Sequence, residues 1–135
     1  MFSYKNYFLI GLGGALGSMA RFWFSGLMAR HFGETFPWGT ILVNVSGSFA
    51  IGLFSTLTDQ DGSWLVAPSW RQFCMVGICG GYTTFSAFSL QTLQLARGGE
   101  WFYAGANAVL SFGLCLGMVW LGHVLAVSLN SAKGM

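Results

Sequence analysis

Gly77-Ile78-Cys79-Gly80-Gly81-Tyr82-Thr83-Thr84-Phe85-Ser86-Ala87-Phe88-Ser89 lies in the middle of an apolar run from about Trp70 to Ala96. That run is long enough to cross a bilayer, which takes about 20 mostly apolar residues. Its centre is a poor helix interior, because each glycine costs about 1 kcal/mol relative to alanine. The stretch predicts a spanning helix with a break at mid-membrane. A break frees backbone carbonyls and amides, and is tolerated only where other groups satisfy them. Freed carbonyls suit a small cation, and the start of the next half-helix favours an anion. An ordinary kink at a close helix crossing is the other reading.

Three further apolar runs flank this one, roughly from Tyr7 to Ala29, from Trp38 to Leu57 and from Trp101 to Leu129. The runs are too long and too continuous for β-strands, which alternate. Trp38, Trp64, Trp70 and Trp101 fall at or near the ends of the runs, where interfacial aromatics belong. The connections are short and polar, so residues 1–135 read as a single four-helix transmembrane domain, all-α in class. Composition agrees: 54% of the chain is hydrophobic and only 7% is charged, against roughly 25% charged in a soluble domain. A soluble enzyme, a nucleic-acid binder and a disordered tail are excluded. Lys5 precedes the first run, but Arg21 interrupts it and no convincing cleavage site follows, so the first run is expected to stay in the mature protein. Cys74, Cys79 and Cys115 all fall inside spans, and an odd number of intramembrane thiols argues for packing rather than a disulfide framework.

Four spans put both termini on one side of the membrane. That side, with the second loop, holds Lys5, Arg71 and Lys133, and the other holds Arg30 and Arg97. Orientation follows an excess of Lys and Arg on cytoplasmic loops, and here there is almost none. The chain is therefore expected to insert both ways round and to pair as an antiparallel, dual-topology homodimer.

Polar residues inside a span default to functional hypotheses. Glu34, Asp59, Asp61 and Glu100 all lie in loops, so the membrane carboxylate that a proton-coupled cation exporter needs is missing. What enters the membrane is neutral. Thr40, Asn44 and Ser48 recur every four residues in the second span, as do Asn107, Ser111 and Cys115 in the fourth. Residues at i and i+4 share one helix face. Each ladder offers donors that replace the water around an anion without the grip of a fixed charge; interhelical hydrogen bonding is the alternative. Phe85 and Phe88 follow the glycines, and their ring edges are electropositive. Arg21, the one deep cation, reads either as an electropositive way in for anions or as an anchor. His123 reads as interfacial or packing. Gly13-xxx-Gly17, Gly77-xxx-Gly81 and Gly113-xxx-Gly117 predict close helix packing.

Three motifs then resemble a known family. Gly13-Gly14-Ala15-Leu16-Gly17-Ser18-Met19-Ala20-Arg21, Gly39-Thr40-Ile41-Leu42-Val43-Asn44-Val45-Ser46-Gly47-Ser48-Phe49 and Gly80-Gly81-Tyr82-Thr83-Thr84-Phe85-Ser86-Ala87-Phe88-Ser89 are similar, in order and spacing, to the first three spans of the CrcB/Fluc fluoride channels. The resemblance covers nearly the whole chain. It implies antiparallel dimers of the bacterial inner membrane, with two pores that let fluoride leave the cytoplasm passively. By match, Phe85 and Phe88 are the pore phenylalanines, Asn44 and Thr40 are polar pore positions, and Asn107 and Ser111 continue the track. Gly80 and Thr83 match the break whose carbonyls hold a central structural sodium ion (Na+), and Arg21 matches the first-span arginine. Ala87 stands where many relatives have Thr, Gln91 where they have Glu, Asn107 where some have Tyr and Cys115 where some have Ser. A dual-topology small-molecule exporter and a tetraspan scaffold without transport are the alternatives from other classes.

Overall fold

The computed structural model describes residues 3–134, and every regular element in that range is helical. Helix α1 spans Tyr4–Phe32 and α2 spans Trp38–Leu57. The third run is composite. A short α3 (Pro68–Gln72) leads into a π-helix over Phe73–Cys79, then α4 (Gly80–Tyr82) and α5 (Phe85–Arg97). Helix α6 covers Trp101–Lys133. Three of the described helical stretches are long and apolar enough to cross a membrane: Trp38–Leu57, Pro68–Arg97 and Trp101–Lys133, with mean hydropathies of 1.6, 1.3 and 1.9. Helix α1 has the length, 29 residues, but Lys5, Arg21, Arg30 and His31 keep its composition below that level.

Local chemistry explains the ends. Pro68 stands in the first turn of α3, where its missing N–H costs nothing. Gly33, at φ 78°, ends α1 and donates its N–H to the Ala29 carbonyl. Gly99, at φ 81°, turns the chain between α5 and α6. Both angles lie in the region that glycine enters without a Cβ penalty.

Glycines set how closely the helices approach. A Cβ placed on Gly13 would come within 2.7 Å of the Phe73 carbonyl oxygen, and one on Gly81 within 2.6 Å of that of Gly14. A Cβ on Gly17 would overlap the Ile78 carbonyl oxygen. Helix α1 therefore meets the π-helical segment and α4 backbone to backbone, through two of the expected small-residue faces. Helix α2 packs along α6 in the same manner, where a Cβ on Gly52 would overlap the Val119 carbonyl oxygen and one on Gly122 that of Phe49. Gly113 and Gly117 correct the expectation made for them. Both are exposed, and a Cβ on either meets nothing within 4 Å, so the fourth helix packs in this chain through Gly122 instead.

Polar bonds fasten one end of the bundle. Asn130 accepts from Ser63 N (2.9 Å) and donates to the Thr56 carbonyl (3.4 Å), while His123 Nδ1 shares a hydrogen bond with Thr56 Oγ1 (2.8 Å). Arg71 Nε donates to Thr58 Oγ1 at 3.1 Å.

Candidate functional site

Thr83 and Thr84 are the turning point of the third run. Their backbones are extended, with ψ 157° at Thr83 and φ −153° at Thr84, between helical residues on both sides. Extended backbone in a spanning segment needs outside partners, and two side chains supply them. The Asn44 amide donates from Nδ2 to the Thr84 carbonyl at 3.0 Å and accepts at Oδ1 from Thr84 N at 2.7 Å. The Thr84 hydroxyl caps α5 by accepting from Ala87 N at 3.2 Å. Thr83 closes the preceding helix, donating from both N and Oγ1 to the Cys79 carbonyl, at 3.0 and 2.9 Å. Gly47 lets α2 come this close, since a Cβ there would overlap the Thr83 methyl.

A groove of about 280 Å³ opens beside this point. Asn44 and Ser48 line it from α2, Ser111 and Cys115 from α6, and Phe85 and Phe88 from α5. Two members of each four-residue ladder thus line one groove with the ring pair, as their helical spacing allows. Phe88 is buried, at 7% exposure, whereas Phe85 is 66% exposed. Their ring centroids are 5.3 Å apart with planes at 49°. Phe112, which sequence reasoning missed, completes a cluster: it lies 5.7 Å from Phe88 edge-on at 80°, and 6.3 Å from Phe85. Nothing in its surroundings on the chain distinguishes it from the other aromatics of α6.

Asn107 is the most buried polar side chain of the track, at 1% exposure, and sits behind the groove rather than on its wall. Its Nδ2 donates to Thr92 Oγ1 at 2.9 Å, and Thr92 in turn donates to the Phe88 carbonyl at 2.8 Å. Ser111 donates weakly to Asn107 Oδ1 at 3.4 Å. Thr92 was also missed. It joins the polar track to the backbone of a ring residue, and its signal, a Thr four residues after Phe88, is common in helices.

The other expected residues are elsewhere. Thr40 is buried in a separate cavity of about 540 Å³, shared with Gln91, Glu34 and Glu100. Gln91 Oε1 is buried there without a hydrogen-bond partner among the described residues. Arg21 is half-buried on α1, lines neither cavity and makes no hydrogen bond or ion pair with any described residue. Gly80 is exposed. The carbonyl oxygens of Gly80 and Thr83 accept no hydrogen bond from any described residue, so the donor set there is a pair of neutral hard oxygens of the kind that suits an alkali cation.

The arrangement is a neutral, donor-bearing, aromatic groove in a helical membrane bundle, with all four acids outside the helices. Comparison with known proteins agrees in kind. A family model described as "CrcB-like protein, Camphor Resistance (CrcB)" matches residues 8–123. Among similar proteins, the fluoride-specific ion channel FluC of Opitutus terrae is 62% identical over 128 residues, covering 95% of this chain and 97% of the relative. The protein of the same name in Rhodospirillum rubrum is 58% identical over 125 residues, covering 93% and 97%. That of Methylocella silvestris is 56% identical over 129 residues, covering 96% and 98%. With the family model spanning most of its length and relatives of this identity matched nearly end to end, the chain belongs to the CrcB family.

Proposed function

We propose that this protein is a fluoride-selective ion channel of the bacterial inner membrane, through which fluoride leaves the cytoplasm passively. The observation that carries the reading is the groove in which Asn44, Phe85, Phe88 and Ser111 meet with no carboxylate among its lining. An anion stripped of water needs compensating donors. The second N–H of Asn44 has no partner among the described residues, and the Ser111 hydroxyl is held only at 3.4 Å, so both remain able to turn to a small anion. Electropositive ring edges add contacts without a fixed charge that would trap the ion. The protein is a channel, not an enzyme, and no covalent step is involved.

The conducting unit in this reading is an antiparallel, dual-topology homodimer with two pores. The even division of Lys and Arg between the two sides supports it, as does the 66% exposure of Phe85 in the single chain. The third span is taken as broken at Thr83 and Thr84. The free carbonyls of Gly80 and Thr83 are the groups that would hold a structural sodium ion, which would bring a fixed positive charge to the dimer centre.

Purified protein in liposomes tests the reading. Fluoride efflux without chloride efflux, independent of a proton gradient, is the expected result. Equal leakage of both ions, or of neither, overturns it, and dependence on a proton gradient points to an exporter instead.

A further inference from the structure

At the end of the bundle away from the ring pair's groove, the connection between α2 and α3 folds over a cavity of about 460 Å³. Arg71 and Asp59 line it together with Gln60, Trp64, Leu65 and Val76. Arg71 is half-buried and partly spent: Nε donates to Thr58 Oγ1 at 3.1 Å, and Nη2 to the Ser55 carbonyl and hydroxyl at 3.3 and 3.4 Å. A guanidinium has five N–H donors. The two on Nη1 have no partner among the described residues. Asp59 accepts from Gln60 N through Oδ1 at 2.9 Å, and its other oxygen has no partner among the described residues. The two charges share a cavity yet form no ion pair with each other among the described residues. The cavity wall also carries exposed apolar side chains, Leu65 at 94% and Val76 at 57% exposure. Trp64 and Trp70, near the ends of this connection, are also exposed, as aromatics at a bilayer headgroup region are.

We infer that this cavity is a binding site for a zwitterionic phospholipid of the phosphatidylethanolamine type. The phosphodiester accepts the two Nη1 donors of Arg71, where planar guanidinium geometry suits phosphate oxygens. The primary ammonium donates to the free oxygen of Asp59. The acyl chains run down Val76 and Leu65. The charge pattern selects among headgroups: a phosphatidylcholine headgroup has no N–H to give Asp59, and an anionic phosphatidylglycerol headgroup brings no cation to it. The inference rests on membrane embedding and not on which ion the protein conducts.

The test is native mass spectrometry of the purified protein in detergent, given equal amounts of phosphatidylethanolamine, phosphatidylglycerol and phosphatidylcholine with identical acyl chains. The expected result is retention of phosphatidylethanolamine over phosphatidylcholine by about fivefold, the scale of one interfacial charge contact. Asp59→Asn, in an exposed loop, brings that ratio close to one while keeping total lipid retention. Arg71→Gln lowers retention of all three. Because Arg71 also braces Ser55, the Asp59→Asn ratio decides the matter if Arg71→Gln fails to fold. A wild-type ratio near one, preference for phosphatidylglycerol, or an unchanged ratio in Asp59→Asn overturns the proposal.

Discussion

The Asn44 side chain pairs with the Thr84 backbone in both directions, at 3.0 Å from Nδ2 to the carbonyl and at 2.7 Å from the amide to Oδ1. An amide is the one neutral side-chain group that can mimic a neighbouring peptide in this way. Asn44→Ala leaves an N–H and a C=O of extended backbone unpaired, at about 1–3 kcal/mol each. The thermal midpoint in detergent should fall, and fluoride flux with it. Asn44→Asp keeps the acceptor for Thr84 N but loses the donor, so its midpoint should lie between the two. A midpoint for Asn44→Ala equal to wild type would show that the pairing does not hold the chain at Thr84.

The ring pair divides by burial. Phe88 is 7% exposed and Phe85 66% exposed. Phe85→Ile should lower fluoride efflux from liposomes strongly while costing the fold of the single chain less than about 0.5 kcal/mol, because the ring is exposed there. Phe88→Ile should lower both efflux and the stability of the chain itself. Unchanged efflux in both variants would remove the ring edges from the conduction path.

Thr92 connects Asn107 to the Phe88 carbonyl. Thr92→Val strips Asn107 of a partner at a site that is 1% exposed, costing about 1–3 kcal/mol. Thr92→Ser restores the hydroxyl and should restore flux and stability together. If Thr92→Val conducts as well as wild type, the buried network is packing only.

Gly17 faces backbone and Gly11 faces open space. Gly17→Ala should destabilise by about 1–3 kcal/mol through overpacking. Gly11→Ala should be neutral or gain up to about 1 kcal/mol of helix propensity. Unfolding midpoints of the two variants, measured side by side, check the contrast.

Two lysines added to the connection between Leu57 and Pro68 turn a three-to-two division of Lys and Arg into five to two. The expected outcome is a single orientation, read by labelling of a loop cysteine from one side only, with reduced assembly and flux. Full activity from a chain locked in one orientation would count against antiparallel pairing.

Much of this was legible in the chain. Trp38 and Leu57 bound both the second apolar run and α2, because Pro37 precedes the one and the polar Thr58–Asp59 follows the other. Asn44 with Ser48 on α2, and Ser111 with Cys115 on α6, share one groove because residues four apart lie on one helix face. Thr40 went elsewhere because its turn of α2 lies beside the Gln91 cavity instead. The π-helical winding of Phe73–Cys79 was not legible, since it accompanies backbone contact with Gly13 and Gly17 on another helix. Gly113-xxx-Gly117 shows the same limit: its spacing matches that of Gly13-xxx-Gly17, and only the presence of a facing backbone distinguishes them. Interhelical hydrogen bonding by Asn44 was one of the two readings open in the sequence, but its partner, Thr84, 40 residues further on, was not legible.

The winding of Phe73–Cys79 has a consequence for chain length. The Gly80 amide reaches back five residues to the Met75 carbonyl, so this stretch stores slack that a four-residue turn would not hold. Loss of one residue between Phe73 and Cys79 can be absorbed by tightening the turn, with Phe85 and Phe88 left on their bearing. The same loss after Gly80 has no such reserve and swings the rings by about 100°, one residue's worth of helix. Single-residue deletions in this span are therefore tolerated between Phe73 and Cys79 and ruinous after Gly80.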